Sequence, residues 1–139
     1  MLHTLILWPV LIQILLTISL FVLLGRRKKL AYKNNLVDPR KTALDNSAWP
    51  DDVVKVSNNI QNQFQTPVLF FVLCLSFLVL QQVSWLVLSL AWMFCILRIL
   101  HAYVHVGSNY VPLRFRLFLF SVLVLLAMAL SLGQLLLRG

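Results

Sequence analysis

Charge is scarce in this sequence, and negative charge is scarcest. Four acidic residues stand against 12 basic ones, and charged side chains make up only 12% of the 139 residues. A soluble domain of ordinary composition carries about twice that share, roughly 25%, so composition excludes one. Cysteine is equally rare. Cys74 and Cys95 lie in apolar runs without C-x-x-C spacing, which argues against a disulfide framework or a zinc knuckle and leaves two small buried apolar residues as the reading. No repeat with a period of roughly 20 to 50 residues is present, so a solenoid is excluded as well.

Apolar residues fill the space that charge leaves. Hydrophobic side chains make up 60% of the chain, and its mean hydropathy is +0.88. A bilayer core about 30 Å thick takes about 20 apolar residues per helical span. The chain has apolar length for four spans and little beyond them for a separate soluble domain. The expected fold is therefore an all-α membrane protein, a four-transmembrane-helix bundle forming one domain over residues 1–139, with helices at about 2–24, 50–80, 83–105 and 115–137. The net charge of +8 points to membrane lipid, and nucleic acid is not an expected partner. Most of the basic residues flank apolar spans, where they meet headgroups and set orientation.

The first span runs to Leu24, with Gly25 and the run Arg26-Arg-Lys-Lys29 as its expected stop. A secretory leader would place its positive charge before the apolar core, so this span is expected to stay in the mature protein. Pro50 with Asp51 and Asp52 suits the first turn of the second helix, where the carboxylates complement the positive end of the helix dipole. Of that helix only Pro67 to Leu80 is continuously apolar. Its earlier turns carry a helical stripe of Lys55, Asn58, Asn62 and Gln65, with Gln61 beside it. Amides at this depth are not left unpaired in lipid, so the stripe should face a wet cavity, a ligand or another helix. Pro67 should free the carbonyl of Gln63 and kink the helix where its polar and apolar halves meet.

In the third span Arg98, His101 and His105 recur at i, i+3 and i+7, and Arg114 follows beyond the loop signal Gly107-Ser-Asn109. An arginine near a bilayer centre costs roughly 2.5 to 3.5 kcal/mol on insertion scales, so it usually faces a cavity or a partner. Basic residues crowd the first loop and the third link but not the N-terminal end or the second turn. The positive-inside bias therefore places both termini on the non-cytoplasmic side and both polar faces at the cytoplasmic end. Simpler roles remain open for the same residues. Asn58, Asn62 and Gln65 could form interhelical amide bonds worth about 0.6 kcal/mol each, Arg98 could pair with carbonyls of the second helix, and Arg114 with Arg116 could anchor to headgroups. His101 and His105 could together bind a metal, or a haem with His3, but His3 falls on the opposite membrane side, and no metal site is assigned.

Taken together, Asn62-Gln-Phe-Gln65-Thr-Pro67, Arg98-x-x-His101-x-x-x-His105 and Arg114 resemble the MAPEG superfamily, the membrane-associated proteins of eicosanoid and glutathione metabolism. The likeness extends over the whole chain in length, four-span layout and loop positions. It implies a four-helix bundle assembled as a homotrimer, with glutathione as co-substrate near the cytoplasmic side between subunits. Asn62 matches the family's helix-2 asparagine, but Gln65 stands at its glutamate, and Asn58 and Gln61 stand where many glutathione-using members carry arginines. Lys55 lies one turn earlier. Arg98 and His101 match positions in several members, His105 replaces a tyrosine common in the eicosanoid enzymes, and Arg114 falls on the arginine that stabilises the glutathione thiolate.

By this resemblance Asn62 and Gln65 orient the peptide, Arg98 and His101 meet its carboxylates, Asn58 joins them as a glutathione-binding residue, and Arg114 with His105 favours the thiolate. The implied activity is that of a glutathione-dependent transferase or peroxidase acting on lipophilic electrophiles. The alternative is a non-catalytic protein of the same fold that binds lipid or another lipophilic small molecule. A channel or transporter is less supported, because no span repeats a broken-helix pattern.

Overall fold

The computed structural model of the chain describes residues 2–138. A short α1 (Leu2–Leu5) leads into α2 (Leu7–Lys33). The first loop holds α3 (Pro39–Thr42) and a 3-10 turn at Asn46–Ala48, and α4 (Asp51–Gln63), α5 (Thr66–Val79), α6 (Trp85–Val106) and α7 (Val111–Arg138) complete the chain. Four helical stretches are long and apolar enough to cross a membrane: His3–Lys33, Asp51–Val79, Trp85–Val106 and Val111–Arg138.

Gly25 does not stop the first span. One glycine costs about 1 kcal/mol in a helix interior, and the residues after it are good helix formers, so α2 runs on to Lys33. It ends where Asn35 takes the left-handed conformation, φ 53°. There the Leu36 N–H bonds to the Ala31 carbonyl and the Asn35 N–H to that of Tyr32, which closes a Schellman cap. The added turns pack Ala31 against Trp49 and Val53. The Lys28 ammonium lies 4.6 Å from the centre of the Trp49 ring, and Tyr32 meets that ring edge-on at 5.2 Å. Within the loop, side-chain and backbone hydrogen bonds from Ser47 hold the Asp45 carboxyl below its ordinary pKa.

The second span is two helices. The Pro67 ring would clash with the Gln63 carbonyl in a continuous helix, and the chain relieves this with a full break rather than a kink. α4 ends at Gln63, Gln65 leaves helical geometry at φ −106° and ψ −96°, and α5 opens at Thr66 with Pro67 in its first turn.

Phe70, Phe77, Phe94, Val124 and Met128 form the main apolar core, in which the Phe70 and Phe94 rings stack at 4.5 Å. Leu20, Val56 and Ile60 form a second cluster. A chain of amides ties the first three spans together. Gln13 Nε2 donates to Gln63 Oε1 at 2.8 Å, Gln63 Nε2 donates to Asn59 Oδ1 at 3.0 Å, and Asn59 Nδ2 donates to the Ala102 carbonyl at 3.2 Å. All three side chains are buried. Asn59 and Gln63 share a helical face with the buried Val53, Val56 and Ile60, one position beyond the stripe that stands out in the sequence.

The two ends of the bundle are also tied. At one, the Val83 N–H donates to His3 Nδ1 at 3.3 Å, joining the N-terminal end to the second turn. At the other, the Arg27 guanidinium donates to the carbonyls of Asp52 and Val106, gathering the last turns of α2, the start of α4 and the end of α6. Gln63→Leu should leave the amides of Gln13 and Asn59 short of partners and lower stability by about 1 to 3 kcal/mol, read as a reduced thermal midpoint in detergent. The double variant Gln13→Leu/Gln63→Leu should recover part of that loss. A double variant less stable than the single one would show that the amides do not act as a unit.

Candidate functional site

The site forms where α6 gives way to α7. A Cβ at Gly107 would sit 3.0 Å from the Tyr103 carbonyl oxygen, so a residue without a side chain suits the end of α6. The chain then reverses through Asn109, left-handed at φ 53°, whose N–H bonds to the Val104 carbonyl at 2.7 Å. Pro112 is tolerated in a first helical turn because its missing N–H would have no partner there. α7 accordingly starts at Val111, a turn earlier than the sequence suggests, and this places Arg114 at the mouth of the bundle.

The Arg114 guanidinium donates to Asn109 Oδ1 and lies 3.5 Å from His105 Nε2. Arginine has donors only, so in this contact Nε2 is the nitrogen placed to accept, and the other ring nitrogen, Nδ1, is buried without a partner. One turn below, the His101 ring lies 5.6 Å from that of His105 and 6.2 Å from Phe118, and its Nδ1 is likewise unpartnered. Below that, Arg98 is fully buried at 0% exposure. Its Nη2 donates to the Asn62 carbonyl at 3.1 Å, while Nε and Nη1 have no partner. The Asn62 carbonyl is one of the four that the broken end of α4 leaves without an intrahelical donor, and the negative end of a helix dipole favours a cation there.

Two cavities open on this column. One of about 210 Å3 is lined by Asn62, His101, Val111, Arg114, Phe115 and Phe118. The other, of about 200 Å3, is lined by Asp51, Val54, Lys55, Asn58, His105, Asn109 and Arg114. Arg114 belongs to both, so the structure brings together Arg114, His105, His101, Asn58 and Asn62. Arg98 lines neither cavity. Gln65 is exposed beside the helix break and also lines neither. Asp51 is the site-lining residue that sequence reasoning assigned elsewhere, to the helix dipole, although it shares a helical face with Lys55 and Asn58. An apolar groove of about 400 Å3 between α5 and α7, lined by residues including Thr66, Leu69, Val122 and Leu125, begins one turn along α7 from Phe118 and across the helix break from Asn62. Among the described residues no group of three or more His, Cys, Asp or Glu side chains could hold a metal ion.

A family model described as the MAPEG family matches residues 5–133, nearly the whole chain. The chain belongs to the MAPEG family. No curated protein and no solved structure matches it. The structure of this MAPEG protein gives its departures from the family pattern a spatial meaning. Gln65, at the expected glutamate, is outside both cavities, and the carboxylate that does line one of them is Asp51.

The balance of terms at Arg98 can be read by mutation. Burying an ion costs several kcal/mol even after relaxation, whereas one charge-assisted hydrogen bond returns about 1.5 to 3. Arg98→Met is therefore expected to keep or raise the thermal midpoint of the ligand-free protein. A clear fall would show that the bond to Asn62 outweighs desolvation.

Proposed function

We propose that this MAPEG protein binds glutathione or a related thiol and conjugates it to a lipophilic electrophile that arrives from the bilayer, with reduction of a lipophilic peroxide as a variant use of the same thiolate, in which a second thiol completes a disulfide and the products are the alcohol and water. The observation that carries this reading is the position of Arg114, shared between a polar cavity and one walled by Phe115 and Phe118. The polar cavity suits the charged ends of the peptide, with Lys55 and Asn58 on a carboxylate. The aromatic-walled cavity suits the sulfur and an apolar acceptor, with Asn62 and His101 at its rim. Lowering a thiol pKa by about two units requires roughly 2.7 kcal/mol of differential interaction with the thiolate, within the roughly 1.5 to 3 kcal/mol of a hydrogen bond to a charged group. His105 beside that guanidinium is the group assigned to take the thiol proton; the thiolate sulfur then bonds to the electrophilic carbon, and the electron pair of the bond broken there departs with the displaced group, a halide ion in the case of an aryl halide.

The proposal includes a homotrimer with both termini on the non-cytoplasmic side. Asn58, Gln61 and Gln65 are exposed on the outer face of the second span, where polar groups need partners, and a neighbouring copy would supply them. A second reading, binding of lipid or another hydrophobic ligand without chemistry, draws on the apolar groove between α5 and α7.

In detergent-purified protein, glutathione should bind saturably by calorimetry and be conjugated to a generic aryl electrophile. Arg114→Ala should slow that reaction on the order of tenfold or more near neutral pH and move the rising limb of its pH profile about two units alkaline. Absence of binding at millimolar thiol would sink the proposal. Hydrophobic-ligand binding that ignores thiol would favour the second reading.

A further inference from the structure

One face of α2 changes character along its length. Trp8, Leu11, Leu15, Ile18 and Val22 follow one another at three- and four-residue steps and are all exposed, and the same stripe continues into Arg26, Lys29 and Lys33, also exposed. Residues at such steps share a helical face. At 1.5 Å per residue, Trp8 to Arg26 spans about 27 Å, close to the roughly 30 Å of a hydrocarbon core. With Trp8 at one interface, Arg26 stands at the other, and Lys29 and Lys33 follow about 4.5 and 10.5 Å further out. Headgroups occupy only about 5 to 7 Å on each side. The three cations therefore mark the inner boundary of that layer, its interior and the space beyond it.

Arg26, Lys29 and Lys33 make no ion pair or hydrogen bond among the described residues. The carboxylates of the adjoining loop are engaged in their own turns, Asp38 accepting from the Arg40 N–H and Asp45 from the Ser47 N–H and hydroxyl. Tyr32 Oη lies 3.3 Å from Thr42 Oγ1, which holds α3, with Arg40 and Lys41, at the end of α2. Positive charge at this end is thus ordered and open.

We propose that this column binds an anionic lipid whose headgroup carries phosphate beyond its phosphodiester, with Arg26 on the phosphodiester and Lys29 and Lys33 on the outer phosphates. The inference does not depend on thiol chemistry. Basic clusters beside a membrane span attract anionic lipid in general, and the stripe adds a graded depth to that attraction. A phosphatidylserine keeps its charge inside the headgroup layer and cannot engage Lys33. An inositol ring phosphorylated away from the glycerol carries charge outward to it. The proposed orientation puts this end of α2 on the cytoplasmic side, where the leaflet is anionic.

The test titrates the full-length protein in mixed micelles with phosphatidylinositol bisphosphate or phosphatidylserine and reads lipid retention by native mass spectrometry. Wild type should hold the bisphosphate at least about tenfold tighter, the factor given by 1.4 kcal/mol. Lys33→Gln should weaken the bisphosphate about fivefold, the worth of one surface cation, and leave phosphatidylserine unchanged. Lys29→Gln/Lys33→Gln should weaken it on the order of twentyfold with an unchanged thermal midpoint. Equal affinity for the two lipids, equal loss of both in Lys33→Gln, or full bisphosphate affinity in the double variant overturns the graded site. Displacement of the lipid by soluble inositol trisphosphate at equal affinity overturns the lipid as its source of phosphate.

Discussion

A guanidinium buried without a carboxylate organises the functional end of this bundle. Arg98 is fully enclosed, and its only bond runs to the Asn62 carbonyl. That carbonyl is available because the second span is broken, and the span is broken because Pro67 clashes with a continuous helix. One local steric fact therefore supplies the partner for a buried cation. The cation lies against the negative end of α4, and the column above it, His101 and His105, ends at a second arginine, Arg114. Two guanidinium groups thus bracket this face, with two imidazoles between them.

The same end is where the rest of the fold converges. Arg27 ties the last turns of α2 to the start of α4 and the end of α6, and the Gln13, Gln63 and Asn59 amides hold α2, α4 and α6 together from within. These bonds satisfy polar groups that lipid would leave bare, and they also fix the wall of α4 that carries Asp51, Lys55 and Asn58. The opposing wall depends on the tight turn at Gly107 to Asn109. Site geometry and membrane stability are therefore met by one set of contacts at this end.

Much of this was legible in the residues. Four spans follow from hydropathy, because the length of an apolar run against bilayer thickness is a one-dimensional property. The face of Arg98, His101 and His105 follows from helical spacing, which survives folding unchanged. The polar stripe of the second span was legible only in part. Asn58 and Asn62 do line the cavities, but Asn59 and Gln63, which share the face of Val53, Val56 and Ile60, point inward and are bonded there. Their role depends on Gln13, some 50 positions away, which no local pattern reveals.

Helix ends show the same division. Gly25 marked a stop that good helix formers overrode, and Pro67 marked a kink that became a break, because each outcome is a sum over neighbours. Span length and helical period are local, so the order of residues alone makes the chain a four-span membrane protein with a cationic, imidazole-bearing face on its third helix. Packing between distant segments is what seals Arg98 in the core, leaves Gln65 outside the cavities and sets Asp51 in one of them with Arg114. Those outcomes depend on where a broken helix and a tight turn bring separate segments together.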